Sequence, residues 1–463
     1  MSESQHQLAE DRDELEGLYG ATEEVVREIK KAIAENRPDA AAELIKPLHA
    51  ADFADLFEKL SNEERTTLVS LLGSDINPEF FSYLDETVRE DVIDELDTEQ
   101  LATVVNELDT DDAIDLIEDL DEKDQAELLQ AIPPEDRALY EDVLRYPEDS
   151  AARLMDREVA TVPSYWSVGQ TIDYMRSDAE LPSTFYDIYV IGPSYRPIGA
   201  LPVSRLLRAD RPVQVSEIMN ADLKPIPATM DQEDVAFLFR QYGLASAPVV
   251  DESGRLVGAI TVDDVVNVME EEHEEDMLSL GGLREDDFYE AVIGTTRARF
   301  SWLLVNLATA ILASLVIGFF DKSIEKVVAL AVLMPMVASM GGNAGTQTLT
   351  VAVRALALKE LTAANALRIV GKEILVGGIN GILFACLMGT IAYLWFGNPL
   401  IGAVLAAAMV INLLMAGLAG TIVPLTLEWF GIDPAIGSAV ILTTVTDVIG
   451  FLSFLGLATL VLL

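Results

Sequence analysis

Cysteine and histidine are almost missing from this chain of 463 residues: Cys386 is the single thiol, and histidine occurs only at His6, His49 and His273. One cysteine excludes an intrachain disulfide, and histidines this far apart do not supply a Cys/His zinc site. Basic residues are scarce too, with 31 Lys and Arg against 77 Asp and Glu and a formal charge of -46. A surface of that sign repels phosphates, which excludes nucleic acid as a partner, and it favours cations. No apolar run follows Met1, so no signal peptide is expected and the first half is expected on the cytoplasmic side.

The acids are not evenly spread. Before Arg297 there are 23 basic and 70 acidic residues; from Arg297 onward there are eight and seven. A strongly acidic soluble part is therefore joined to a nearly neutral, apolar part. A salt-rich cytoplasm, in which charge keeps proteins soluble, accounts for most of the acid excess. The length allows about three or four domains.

Residues 1–21 are polar and acidic and are expected to fray. Residues 22–145 read as short amphipathic helices with a twelve-residue repeat: ELDTEQLATVV, ELDTDDAIDLI and DLDEKDQAELL place Leu96, Leu108 and Leu120 before Asp97, Asp109 and Asp121. Each Asp is expected to cap a helix, with Gln100, Asp112 and Asp124 three residues later. Helices this short must stack on one another, as in an α-solenoid. Asp111 and Asp115 share one helical face at i and i+4, a pairing that a solvated acidic surface also explains.

Residues 146–262 alternate strand-like and helix-like segments and repeat loosely. RPIGALPVSRLL (196–207) matches RLVGAITVDDVV (255–266), with Gly199 and Gly258 equivalent, and DIYVIGP (187–193) matches APVVDES (247–253). Such a tandem α/β unit resembles a pair of CBS domains. The resemblance implies a nucleotide site in the second half, with the Thr261 hydroxyl on phosphate and the Asp264 carboxylate on ribose. The first half carries Pro202 and Arg205 there, so one ATP-type site at most is implied.

The segment 263–293 opens with DDVVNVMEEEHEEDMLSL, in which six of the seven residues 270–276 are acids. Glu271 with Glu275, and Glu272 with Asp276, are like-charged i,i+4 pairs, each costing a helix roughly 0.2 to 0.5 kcal/mol. A divalent ion held by oxygen ligands, Mg²⁺ or Ca²⁺, would turn that repulsion into a clamp.

Apolar runs then follow at 301–320, 327–353, 369–396, 400–427 and 435–463, enough for five spans of a bilayer in residues 294–463. Arg297 and Arg299 precede the first, and Arg354, Lys359, Arg368 and Lys372 lie between the second and third. The positive-inside rule then predicts a cytoplasmic N-terminus and an external C-terminus, although the loop 428–433 carries only acids. The second span contains Pro335, Gly341, Gly342 and Gly345, which predict irregular backbone at membrane depth. Asn343, Thr346 and Gln347 supply neutral oxygens there; a small-residue packing seam is the other reading of the glycines. Pro424 and Asn412 are expected to add a kink and a polar group to the fourth span. In the last span Asp447 stands alone in IGSAVILTTVTDVIGFLSFLGLATLVLL. A charge at that depth costs at least ~2.5 kcal/mol and marks an ion or proton path, unless it is a protonated acid joining two helices.

This order of parts, with YPEDSAARLM (146–155), PMVASMGGNAGTQT (335–348), GIDPA (431–435) and TTVTDVIGF (443–451), resembles the MgtE family of magnesium channels or transporters from about residue 25 to the end. The resemblance implies a multi-pass protein of the cytoplasmic membrane, not an enzyme. Its parts are an α-solenoid-like helical domain, a tandem CBS pair, an acidic plug helix and a five-helix transmembrane domain. It further implies a homodimer in the lipid bilayer with one ion path on the two-fold axis, lined by the second and fifth spans. Asp447 becomes the pore carboxylate facing hydrated Mg²⁺, with oxygens of Asn343 and the carbonyl of Thr443 as further acceptors. Cytosolic Mg²⁺ would close the path by bridging Asp111, Asp115, Asp264, Glu272, Glu275, Asp276 and Asp433. Gly243 and Asn267 stand where acids of the full sensor set are expected. Two other readings stay open: a transporter coupled to H⁺ or Na⁺, and a membrane-anchored CBS sensor without transport.

Overall fold

The structure, a computed structural model, describes residues 21–72, 76–177, 181–182, 184–283 and 292–463. The fraying expected of the N-terminal stretch falls on residues outside these, as does part of the connecting segment, 284–291. The chain forms two compact units, one ending at Glu271 and one beginning at Glu272.

The first unit opens with short helices: α1 Glu23–Ala34, α2 Pro38–Ile45, α3 Ala50–Glu58, α4 Asn62–Leu72, α5 Glu86–Ile93, α6 Thr98–Glu107, α7 Thr110–Glu118, α8 Glu122–Ala131 and α9 Pro134–Val143. None is long enough to persist alone, and burial holds them. Phe53, Phe57, Phe80 and Phe81 interlock with ring centroids 4.5 to 5.2 Å apart, and α7 buries Ala113, Ile114, Leu116 and Ile117. Of the three repeat aspartates, only Asp97 caps as expected, in a reciprocal box with Gln100 (2.9 and 3.0 Å). Asp109 and Asp121 occupy N-cap positions without a side-chain bond to the helix. At the start of α7 a carboxylate from another segment, Asp156, lies against the Thr110 amide instead.

The α/β part follows as β1 Thr161–Pro163, α10 Val168–Met175, β2 Asp187–Ile191, β3 Pro197–Pro202, α11 Val203–Arg208 and α12 Val215–Ile218. It continues through β4 Ile226–Pro227, α13 Gln232–Tyr242, β5 Ser246–Val250, β6 Leu256–Thr261 and α14 Val262–Gly281. Two three-stranded sheets, ordered β1-β2-β3 and β4-β5-β6, each pair the first two strands parallel and the last two antiparallel. The repeat is therefore real. Val190 pairs Gly199 where Val249 pairs Gly258, so Asp187 corresponds to Ser246, one residue before the sequence match placed it. Tyr189, Ala200, Leu256 and Ala259 bury the faces of the two halves against each other, and the Tyr189 hydroxyl meets Ser246 Oγ at 2.8 Å.

Gly199 and Gly258 share a purpose. A Cβ on either would lie within 2.6 Å of the Sδ of Met219 or Met155, so only glycine lets those segments lie flat on their strands. At Gly258 the segment is the end of YPEDSAARLM. Asp156 exchanges backbone hydrogen bonds of 2.9 Å with Ala259, and Ala151, Ala152 and Met155 enter the core of the second half. Gly243 closes α13 in the left-handed conformation (φ 61°), so backbone geometry explains the absence of an acid there.

The second unit contains α15 Val292–Gly318, α16 Asp321–Lys326, α17 Ala329–Ala357, α18 Ala366–Phe396, α19 Pro399–Trp429 and α20 Ser438–Leu462. Among the described residues, α15, α18, α19 and α20 are long and apolar enough to cross a membrane. The fifth long helix, α17, has 29 residues, and its glycines and amides dilute its apolar character. Bundle position differs sharply: 56% of the apolar window of α19 is buried against 6% for α15, which makes α19 the central helix.

The irregular backbone expected in the second span is not found, since α17 runs unbroken through Pro335 and the glycines. Pro335 falls in its second turn, where a single hydrogen bond is lost. The glycines serve packing instead: a Cβ on Gly345 would meet Leu442 at 2.8 Å. Likewise α19 continues through Pro424.

Candidate cation sites

In the first unit, the acids singled out on α7 meet others that the chain brings from far away. Asp111 Oδ1 is buried without a hydrogen-bond partner among the described residues. Burial first, then the charges of Asp156, Asp264, Asp112 and Asp115, push its carboxyl well above the ordinary range. Burial, Asp109 and Asp264 lift Asp156 to about 7, against the pull of the Thr110 amide. Asp264 is lifted to about 6, chiefly by burial, although it accepts hydrogen bonds from the Thr261 hydroxyl (2.7 Å) and amide (3.1 Å). Asp115 is raised to about 7 by burial, with Arg89 opposing and Asp112 and Glu271 adding to the rise.

Two arginines hold this acidic helix in place. Arg89 ion-pairs Asp119 just beyond the end of α7. Arg153, from the YPEDSAARLM segment, pairs Glu118 and donates to the carbonyls of Leu144 (3.1 Å) and Tyr146 (2.9 Å). Both guanidiniums serve the C-terminal end of α7, which leaves its Asp111 end facing Asp156 and Asp264.

Of the sequence candidates, the structure brings Asp111 and Asp264 together and adds Asp156 and Asp112. Asp156 is isolated in its local sequence, and only the backbone pairing to β6 reveals it. No three His, Cys, Asp or Glu converge into a closed metal shell among the described residues. An ion that keeps most of its water needs only one or two carboxylates and acceptors at a distance.

A pH dependence follows. A carboxyl raised by folding keeps its proton where the unfolded chain has released it, so stability is lost as pH climbs from about 4, the unfolded value, through the folded values of about 6 to 7. In EDTA, the apparent melting temperature of the detergent-solubilised chain is expected to fall between about pH 5 and about pH 8. Added Mg²⁺ should raise it by more than about 4 °C at the higher pH and hardly at all at the lower. Equal rises at both would contradict the cluster's role.

In the second unit, Asp276 of α14 is raised by burial and then by Asp433, with His273 opposing. Asp433 Oδ1 accepts from the Ala435 amide at 2.8 Å, which fixes the turn ahead of α20. These two acids, distant in sequence, are thus brought close. Glu272 and Glu275 lie on the same helix as Asp276, and Asn267 lies exposed on it.

Within the helix bundle, Asp447 of α20 has no hydrogen-bond or ion-pair partner among the described residues. Thr443, one turn earlier, turns its hydroxyl back to the carbonyls of Ala439 (3.0 Å) and Val440 (3.1 Å). Its own carbonyl already receives the Thr446 hydroxyl at 3.0 Å, so a water there would have to share it. On α17, Ser339, Asn343, Thr346, Gln347 and Thr350 form one exposed stripe, opposite the buried Leu333, Val337, Gly341, Gly345 and Leu349. Asn343 Nδ2 donates to Ser339 Oγ at 3.4 Å along it. The Thr346 and Thr350 hydroxyls turn back to the carbonyls of Gly342 and Thr346 (both 3.0 Å), but hydrocarbon does not satisfy the amides of Asn343 and Gln347; a partner or water must.

Three family profiles match the chain. They are MgtE, described as a divalent cation transporter, over residues 334–457, the MgtE intracellular N domain over 48–149, and the CBS domain over 215–271. The CBS match covers the second α/β half, and the first repeats its strand order. The magnesium transporter MgtE of Thermus thermophilus is 36% identical over 329 residues, which are 70% of this chain and 73% of that protein. MgtE of Bacillus subtilis is 32% identical over 319 residues, 68% of this chain and 70% of that protein. Among solved structures, the cytosolic domain of the Mg²⁺ channel MgtE in complex with ATP is 32% identical, covers 52% of this chain and 99% of that chain, and has a TM-score of 0.49.

Proposed function

The chain belongs to the MgtE family of magnesium transporters, and from that premise we propose that it is a homodimeric Mg²⁺ channel of the cytoplasmic membrane, closed by cytosolic Mg²⁺. The observation that carries this reading is the pairing of an exposed polar stripe on α17 with an unpartnered carboxylate on α20. A second copy covers the stripe and supplies a second Asp447. Two carboxylates among neutral oxygens hold hydrated Mg²⁺ without trapping it, because this ion gives up water reluctantly. Asn343 lies on the stripe, and Thr443 flanks the carboxylate.

On this reading residues 22–145 form the acidic helical domain, 146–262 the CBS pair, 263–293 the connecting plug helix and 294–463 the transmembrane domain. The basic clusters at 297–299 and 354–372 support a cytoplasmic N-terminus and an external C-terminus. Closure draws on two acid sets, one around Asp111, Asp115, Asp156 and Asp264 and the other around Glu272, Glu275, Asp276 and Asp433. Mg²⁺ binds the closed arrangement better and shifts the population; moving it from 1:99 to 99:1 takes about 5.5 kcal/mol of differential binding. An adenylate at Thr261 would draw on Asp264 as well, so nucleotide and closing cation compete for one carboxylate.

The test is Mg²⁺ uptake into proteoliposomes with the H⁺ and Na⁺ gradients collapsed. Uptake should persist and follow the electrochemical gradient of Mg²⁺ alone. Uptake that stops until a second ion gradient is restored would replace the channel by a coupled transporter, with Asp447 as its proton or sodium relay.

A further inference from the structure

Asn412 sits in the middle of α19 with no solvent exposure. Its Nδ2 donates to the carbonyl of Val337 on α17 at 2.8 Å. Its Oδ1 is buried with no hydrogen-bond partner among the described residues. The amide fills a notch left by two glycines on two other helices. A Cβ on Gly341 of α17 would lie 2.2 Å from Nδ2, and one on Gly450 of α20 would lie 2.8 Å from it. The Val337 carbonyl is the one that the Gly341 amide serves within the helix, so Asn412 meets α17 at the turn where its backbone is barest.

The two glycines are close in sequence to the residues that matter. Gly341 precedes Asn343 by two residues, and Gly450 follows Asp447 by three. A buried acceptor left without a donor lowers stability. An apolar side chain of the same branched shape would leave no acceptor unsatisfied, so the buried Oδ1 is a cost that the amide carries here.

We propose that Asn412 is a positioning residue for transport. It wedges between α17 and α20, locks their relative rotation and height, and so holds the polar stripe and Asp447 toward one path without touching the ion. This rests on the reading of the stripe and Asp447 as that path.

The experiment uses full-length variants reconstituted in proteoliposomes, with flux of Mg²⁺ and of the larger Ca²⁺ measured per folded protein. Asn412→Leu keeps the branched shape of four heavy atoms, with bulkier methyl ends, and loses the bond to Val337. It should lower maximal Mg²⁺ flux about tenfold or more and change the Mg²⁺ to Ca²⁺ ratio, which loss of folded protein alone would not move. Gly341→Ala should be nearly inactive, because its methyl group collides with the amide, and Asn412→Ala in the same chain should restore part of the flux by making room.

Parental flux and ion ratio in Asn412→Leu, or full parental flux in the double variant, which lacks the positioning amide, would overturn the proposal. Asp447→Asn, run alongside, separates the two levels. If Asp447→Asn transports normally, the path itself is misplaced; if it is inactive while the Asn412 variants are normal, only the positioning role fails.

Discussion

Replacing Asp447 by alanine or asparagine is expected to abolish Mg²⁺ flux while the protein still inserts, folds and assembles. The carboxylate makes no hydrogen bond or ion pair with any described residue, so its removal breaks no contact that holds the bundle. The packing of α20 rests on Leu442, Phe454, Leu455 and Ala458, all fully buried. What is lost is attraction for a divalent ion. Even unit charges about 4 Å apart interact by about 4 kcal/mol at an effective dielectric constant of about 20, which corresponds to more than about a hundredfold in occupancy. A doubly charged ion between two carboxylates multiplies that effect, and retained hydration moderates it.

The second large effect concerns closure. Neutralising Asp111, Asp156 and Asp264 to asparagine, or Glu272, Glu275 and Asp276 to their amides, should leave flux running at internal Mg²⁺ concentrations that silence the parent chain. In the first set the repulsion is concentrated on a buried, unpartnered oxygen of Asp111, and a cation relieves it only in the arrangement that gathers the acids. Without those charges the closed arrangement gains nothing from Mg²⁺, and the population stays open. The amide substitutions also remove the repulsion, so the variants should melt higher in EDTA near neutral pH. Inhibition by internal Mg²⁺ at the parental concentration in both triple variants would remove the gating reading and leave the transport reading standing.

Much of this was legible in the sequence because the relevant signals are local. An apolar run of bilayer length, a lone Asp within it, a run of acids on a helical segment and a repeated glycine in an α/β pattern all declare themselves within a few turns. Other features depend on which segments meet. Asp156 looks like any surface acid until its backbone pairs with Ala259 and carries it toward Asp264. Asp109 has the signature of a helix cap, yet its side chain makes no bond to the helix, while Asp156 from a distant segment reaches the first amide of α7. The strand match between the α/β halves slipped by one residue because short apolar runs carry little register information, which hydrogen bonding between strands then supplies.

The glycines of α17 were the most instructive misreading. Proline and glycine together predict a loosened backbone, and the helix stays whole because its neighbours are shaped to use the missing side chains. Gly341 is a seat for Asn412 and Gly345 a seat for Leu442. Neither partner lies within sixty residues, so no window of sequence around the glycines could have distinguished a packing notch from a break. The polar stripe on the other face of the same helix was only half visible: Asn343, Thr346 and Gln347 stood out, and Ser339 and Thr350 joined them once the helix was known to be continuous.

The most direct test is the initial rate of Mg²⁺ entry into proteoliposomes holding equal amounts of assembled parent and Asp447→Asn protein, at low internal Mg²⁺. Rapid entry through the parent and a rate indistinguishable from protein-free vesicles for the variant is the predicted result. Equal rates in the two preparations would mean that Mg²⁺ does not pass Asp447, and the account would be wrong at its centre.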